Sequence, residues 1–355
     1  MPRGSMARWK NLLGVATVGA SLLATTSRLD AADDLRIYFI DVQGGAATLI
    51  VTPERESILI DTGWPGESDR DPRRIVQALG DAGCDRIDHL VITHWHMDHH
   101  GGVEGLAKRV EIGRFYDRGL PEDGTGGEFP DGPKPDDPLG IAYRKASQGK
   151  RTVLRPGDAL PLKGEVSATV LAASGDLVPA SAGARPNPLC DPEPPDHDPD
   201  PSDNARSIVL KFQYGEFDFL VCGDLTWNHE KRLVCPVDRV GPIDLFQVTH
   251  HGEEISNNPV LLETIAPTVA VMVNGPNKGG LPATVHRYKA LKSLQAFYQL
   301  HRNAKTRDED NGDPALIANV DPEGGRYIRV TVPRGGASYL VRLGADGPSR
   351  TFRSK

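Results

Sequence analysis

The sequence predicts an α/β protein in which two β-sheets pack together with helices outside. Short aliphatic runs bounded by glycine or proline recur along the chain as candidate strands. Segments with helical spacing fall between some of them, and two long Pro/Gly/Asp-rich loops interrupt the pattern. The chain has 355 residues, long for one domain but without an internal repeat or a clear linker.

In chain order, residues 35–51 ("LRIYFIDVQGGAATLIV") read as two strands around a Gly-Gly turn, and "ESILIDTG" as a third that ends at Asp61. Arg73–Ala82 has apolar residues at helical spacing and stops at Gly83. "IDHLVITH" is the next strand, with a short helix expected from about Gly102 to Lys108. Residues 117–137 and 174–203 are loops, too polar to build a core. "EVSATVLAAS", "ARSIVLKFQYGEFDFLVCGD", "DLFQVTHHG" and "PTVAVMVNG" supply further strands. A helix is expected over residues 284–302, and 326–343 close the chain as a hairpin around Gly335-Gly336.

The first 31 residues stand apart. Arg3, Arg8 and Lys10 precede an uncharged run from Asn11 to Thr26, and Leu29 and Ala31 suit cleavage after Ala31. This is the layout of a secretory signal peptide, and the run is too short for a stable membrane span. The expected organisation is therefore a leader over 1–31 and one domain over 32–355, periplasmic or secreted. The whole chain carries a formal charge of −7, and without the leader 37 basic and 47 acidic residues leave −10. That balance disfavours a nucleic-acid partner. Cys84, Cys190, Cys222 and Cys235 match no zinc-ribbon spacing, and an exported chain can pair them in three ways.

The chemistry concentrates in "VITHWHMDHHGG", residues 91–102, where four histidines and an aspartate follow directly on an aliphatic strand. His94 and His96 alternate and can face one ion, while Asp98 and His99 can face a second. Imidazole with carboxylate favours zinc, with manganese or iron as alternatives. Other strand ends add Asp61 ("LIDTG"), Asp224 ("VCGD") and His250 ("VTHHG"). One such residue means little, because aspartate at a strand end is usually a turn former. Four strand ends bearing metal-type residues point to a site. Strand alternation lets only one of His250 and His251 face it, and His250 is the expected ligand.

"HWHMDHHGG" with "LIDTG", "CGD" and "THHG" resembles the metallo-β-lactamase fold superfamily, whose signature is H-x-H-x-D-H. Within it the resemblance is strongest to the hydrolase domain of the ComEC-type competence proteins, through "IDVQGGA", "NARSIVL" and "HHGEEISNNP". The resemblance implies an αββα sandwich with a two-metal site at one edge of the sheets. It implies that His94 and His96 hold one ion, that Asp98, His99 and His250 hold the other, and that Asp224 bridges them. Asp61 would orient the ligands, and with Asp98 and His251 would serve catalysis. Asn204, Ser207 and His286 would meet substrate.

There are departures from the family pattern. Competence domains commonly have aspartate in place of His96, and the zinc hydrolases place a further histidine between the cluster and the Gly-Asp. Here that region offers only His197, in an acidic loop, and Asn204 or Ser207.

The expected function is an exported dinuclear hydrolase that uses a metal-bound hydroxide, most simply on phosphodiesters. No G-x-S-x-G motif offers a serine nucleophile, and Cys222 lies within a strand. Basic residues that could rim the site are Arg144, Lys145, Lys150, Arg151, Lys278, Arg287 and Lys289. The alternatives are β-lactam or lactone hydrolysis, or a non-catalytic metal-containing binding protein.

Overall fold

The computed structural model describes residues 34–124, 129–192 and 195–355, so the expected leader lies outside the described residues. The chain opens with strands β1 (Leu35–Phe39), β2 (Thr48–Val51), β3 (Ser57–Ile60), β4 (Arg86–Val91), β5 (Glu111–Asp117) and β6 (Arg151–Val153). It continues with β7 (Ser167–Ala173), β8 (Asp176–Leu177), β9 (Val209–Tyr214), β10 (Phe217–Val221), β11 (Leu245–Gln247), β12 (Val269–Met272), β13 (Ala296–His301) and β14 (Ile317–Asn319). It ends with β15 (Ile328–Val332), β16 (Ser338–Leu343) and β17 (Ser349–Arg353). The helices are α1 (Arg70–Asp81), α2 (Met97–His100), α3 (Val103–Ala107), α4 (Pro138–Ser147), α5 (Trp227–Val234), α6 (Pro259–Ile265) and α7 (Pro282–Ala290).

Two mixed sheets result. The first runs β17-β16-β15-β1-β2-β3-β4-β5-β6, and the second β14-β13-β12-β11-β10-β9-β7-β8. In each, antiparallel strands give way to parallel ones, from β3 to β6 in the first and from β10 to β14 in the second. Strands buried on both faces read as unbroken apolar runs, and side-chain alternation sorts them into layers. Ile58 and Ile60 of β3 point into the core between the sheets, together with Phe39, Phe219 and Val221. Leu59, between them, points outward against Ile75 and Leu79 of α1. Leu220 and Phe246 of the second sheet face Leu233, Leu261 and Val285 of α5, α6 and α7. Helices thus cover both outer faces, giving the four-layer α/β/β/α order.

The expected helix over 284–302 is corrected. The helix ends at Ala290, and residues 296–301 form β13, paired in parallel with β12. All six residues of "AFYQLH" are buried, with Ala296, Tyr298 and Leu300 turned to the inner core and Phe297 to the outer one. That period-two burial is strand chemistry, and the sheet supplies hydrogen-bond partners on both sides of the segment. His301 accordingly lies fully inside, with Nε2 2.7 Å from Asp41 Oδ1, and ties β13 to the turn after β1. The final hairpin forms as β15 and β16, and β17 adds a third strand beyond it.

Cys190 and Cys235 are bonded, fastening the acidic loop to the end of α5, while Cys84 and Cys222 are unpaired. No described helix is long and apolar enough to cross a membrane.

Because parallel neighbours end on the same side, the carboxyl ends of β3 and β4 in one sheet, and of β10 and β11 in the other, open onto one edge. Those four ends carry Asp61, His94, Asp224 and the His250-His251 pair. The sheets are held in register across the core by an edge-to-face contact between Phe39 of β1 and Phe219 of β10, with ring centroids 5.8 Å apart. Phe219→Ala should destabilise the protein by about 3–5 kcal/mol through the cavity it leaves. Urea unfolding with a loss below about 1 kcal/mol would show that the contact does not hold the sheets together.

Candidate metal centre

Asp224 lies just beyond β10, fully buried, and its backbone N–H donates to Ser207 Oγ at 3.1 Å. Its Oδ2 faces four imidazoles. His99 Nε2 is 3.2 Å away, His251 Nε2 3.3 Å, His250 Nε2 3.5 Å and His94 Nε2 3.8 Å. Two sets of potential donors converge on this carboxylate: Asp98, His99, Asp224 and His251, and His94, His96 and Asp224.

The first of these sets fits a tetrahedral ion closely. Donors about 2.1 Å from a shared ion stand about 3.4 Å from one another. Here His99–Asp224 and His251–Asp224 are joined by His99–Asp98 at 3.6 Å, His251–Asp98 at 3.3 Å and His99–His251 at 3.2 Å between nitrogens. In the other set, His94 Nε2 is fully buried with no hydrogen-bond partner, as a nitrogen awaiting an ion would be.

Neighbouring groups fix which nitrogen each ring presents. Asp61 Oδ2 lies 2.8 Å from His99 Nδ1 and also accepts from the Thr93 hydroxyl at 2.8 Å, while Oδ1 accepts from the Thr93 N–H. This holds the Nδ1 proton of His99 and leaves Nε2 for the centre. The Val273 carbonyl does the same for His251, 3.1 Å from its Nδ1. Gly102 lets the HxHxDH loop press against the next strand end, since a Cβ there would stand 2.1 Å from the Thr62 carbonyl oxygen.

Charge is balanced inside the cluster. Burial alone would raise Asp224, but the surrounding His251, His99 and His250 hold its carboxyl well below the usual range. Asp98, also resisted by burial, is held well below by His99, His251 and Lys278. Burial would lower His99, yet Asp224, Asp61 and Asp98 keep it well above the usual histidine value. His94 is pushed well below by burial.

Several sequence expectations change. His251, expected to serve catalysis beside the ions rather than to bind one, belongs to the four-donor set, and His250 reaches Asp224 from another side. Strand alternation fails here because His250 (φ 54°) and His251 (φ 53°) are both left-handed. Such a turn costs a non-glycine residue about 1–3 kcal/mol. It is clamped by His250 N–H to the Gly223 carbonyl at 3.1 Å and by Gly280 N–H to the His251 carbonyl at 2.8 Å. Asp61 is left-handed as well. Asp61 contacts His99 and Thr93, the placement expected of a residue that orients a ligand.

Ser207, expected at substrate, is fully buried and bound to the Asp224 backbone. The His286 side chain is 54% exposed, with Nε2 3.1 Å from Asp310 Oδ1, and is outside both donor sets. Asn204 is at the centre, its Nδ2 3.4 Å from His250 Nε2. His197 stacks on Trp227 at 3.8 Å and is outside both donor sets.

Three residues of the expected basic rim are engaged by other partners. Arg144 pairs with Glu122, Arg151 with Asp117 and Asp123, and Lys289 binds carbonyls near residue 310. Lys278 does reach the centre. Its ammonium touches Asp98 Oδ2 and lies 4.7 Å from the Trp64 ring. Two participants carried no readable signal. Thr93 fixes Asp61, and Asp131, in a loop, places Oδ2 3.1 Å from His96 Nε2.

Residues 40–208 match the metallo-beta-lactamase superfamily. Those residues form a domain of that superfamily, and the match supports a metal-dependent hydrolase. It is related to competence proteins. ComE operon protein 3 of Bacillus subtilis (strain 168) is 26% identical over 289 residues, covering 78% of this chain and 32% of that protein. Competence protein ComA of Neisseria gonorrhoeae is 25% identical over 241 residues, covering 66% of this chain and 26% of that one. The chain thus spans about a third or less of these relatives. Among solved structures, the metallo-beta-lactamase fold protein YhfI from Bacillus subtilis is 9% identical, with 75% of this chain and 95% of that one covered and a TM-score of 0.43.

Removing Asp61 should loosen His99 without removing a ligand. Asp61→Ala should weaken metal binding about 10–100-fold, and an unchanged affinity in a chelator competition would show that Asp61 does not position the ring. A second prediction concerns Glu230, buried beneath the histidine turn, where Oε2 accepts from the Asn258 N–H at 2.8 Å. Burial pushes it up to about 7. A carboxyl raised on folding contributes stability fully below about pH 4.5, and that contribution is lost as pH rises through about 7. Relative to Glu230→Gln, the wild type should therefore lose about 3 kcal/mol over that window. Parallel stability profiles for the two proteins would contradict this.

Proposed function

We propose that this chain is a dinuclear, zinc-dependent phosphodiesterase that works outside the cytoplasm. The observation carrying the reading is the pair of donor sets that share Asp224. Divalent ions bound there would supply Lewis acidity and an activated water. The chain's own residues supply the rest. Asp61 and Val273 keep His99 and His251 oriented, and Asp224 and Asp98 carry the negative charge that retains cations.

Lys278 supports an anionic substrate. In the structure its ammonium lies on Asp98. A cation bound by Asp98 would repel that ammonium, which would then be left at the rim to meet a phosphoryl oxygen. A lone lysine with an acidic overall charge suits a small phosphodiester or a phosphorylated envelope molecule better than a long nucleic acid.

Three described side chains that could act as nucleophiles are withdrawn from that role. Cys222 is fully buried, and burial pushes its thiol well above the usual range. The Ser207 and Ser256 hydroxyls are bound to backbone groups. The Cys190–Cys235 bond supports an oxidising, extracytoplasmic setting.

The test is a panel of bis-aryl phosphodiesters, β-lactams and lactones, run on protein reloaded with zinc or manganese. Phosphodiester turnover should dominate and be abolished by chelation. Lys278→Ala should raise KM for the anionic substrate about tenfold with a smaller change in kcat. Turnover confined to β-lactams or lactones would replace this reading with ring hydrolysis. Full metal content with no turnover of any substrate would favour a binding protein.

A further inference from the structure

The His94, His96 and Asp224 set offers three donors, whereas the set around His251 offers four. His250 belongs to neither set, but its Nε2 lies 3.5 Å from the Asp224 oxygen that both sets share. Its hydrogen bonding settles which nitrogen it can offer. The Ser256 hydroxyl donates to the Leu225 carbonyl at 2.8 Å, because a carbonyl can only accept. Ser256 Oγ is also 3.1 Å from His250 Nδ1, and with its hydrogen already committed it must accept there. His250 Nδ1 therefore carries the proton and Nε2 holds a lone pair.

That lone pair faces the centre. His250 Nε2 is 3.5 Å from Asp224 Oδ2, the spacing of two donors around one ion. It is 3.4 Å from Asn204 Nδ2, while Asn204 Oδ1 is buried without a partner beside it. The two left-handed residues thus turn adjacent imidazoles onto one carboxylate from different sides.

We infer that His250 Nε2 is the fourth donor of the ion held by His94, His96 and Asp224, so that His250 and His251 serve different ions. This rests on the dinuclear reading above. Asp131 is the rival fourth donor, but its Oδ2 already accepts from the Asp203 N–H at 2.9 Å and its side chain is 40% exposed.

The test is zinc content of the folded full chain after gel filtration, with affinities from chelator competition. Wild type should hold two ions. His250→Ala should retain one tightly and bind the other at least tenfold more weakly, and His250→Gln, which preserves volume, should do the same. Ser256→Ala, which frees the tautomer, should weaken that same ion several-fold. Asp131→Asn should keep both. Two ions at wild-type affinity in both His250 variants would overturn the assignment, as would loss of an ion in Asp131→Asn alone. A wild type that holds a single ion would instead overturn the dinuclear reading, and the assignment with it.

Discussion

A carboxylate sealed among imidazoles governs this structure. Asp224 is buried, so its charge is tolerable only if opposite charge or a cation stands beside it. Four histidine nitrogens within 3.8 Å of one of its oxygens meet that demand. They come from the ends of β4 and β11, and Asp224 from the end of β10. The two sheets must therefore pack so that their parallel strands end together, and the dry core between them fixes that relation.

The same edge holds strained backbone. Asp61, His250 and His251 adopt left-handed backbone without being glycine. The surrounding hydrogen bonds over-determine each of them, which is how such strain persists. Thr93 and His99 lock Asp61, while the Gly223 carbonyl and the Gly280 N–H lock the histidine turn. The return is a four-donor set whose nitrogens and carboxylate oxygens stand 3.2–3.6 Å apart, near the separation a tetrahedral ion requires.

How far the sequence could be read depended on whether a rule of period or of spacing governed each residue. His94, His96, Asp98 and His99 were legible because one loop after one strand brings them together. Asp61 and Asp224 were legible as polar residues closing aliphatic runs. His251 was not, because the alternation rule assumes extended backbone and the turn is left-handed. Ser207 was seen as chemistry, yet the interior claims its hydroxyl for the Asp224 backbone. Residues 296–301 misled for a related reason. A short apolar run after a helix looks like more helix, and only its neighbours in the sheet make it a strand. Lys278 was one basic residue among seven, and no sequence pattern distinguishes the one that folds onto Asp98. Asp131 approaches His96 from a loop with no period at all.

In the proposed dinuclear reading, Asp224 joins two ions into a single centre. Electron paramagnetic resonance of the manganese-loaded protein tests it most directly. Ions held about 3.5–4 Å apart and bridged by a carboxylate should give the multiline spectrum of an exchange-coupled pair. That spectrum should collapse to an isolated-ion signal in Asp224→Ala. Two magnetically independent manganese signals in the wild-type protein would contradict the account.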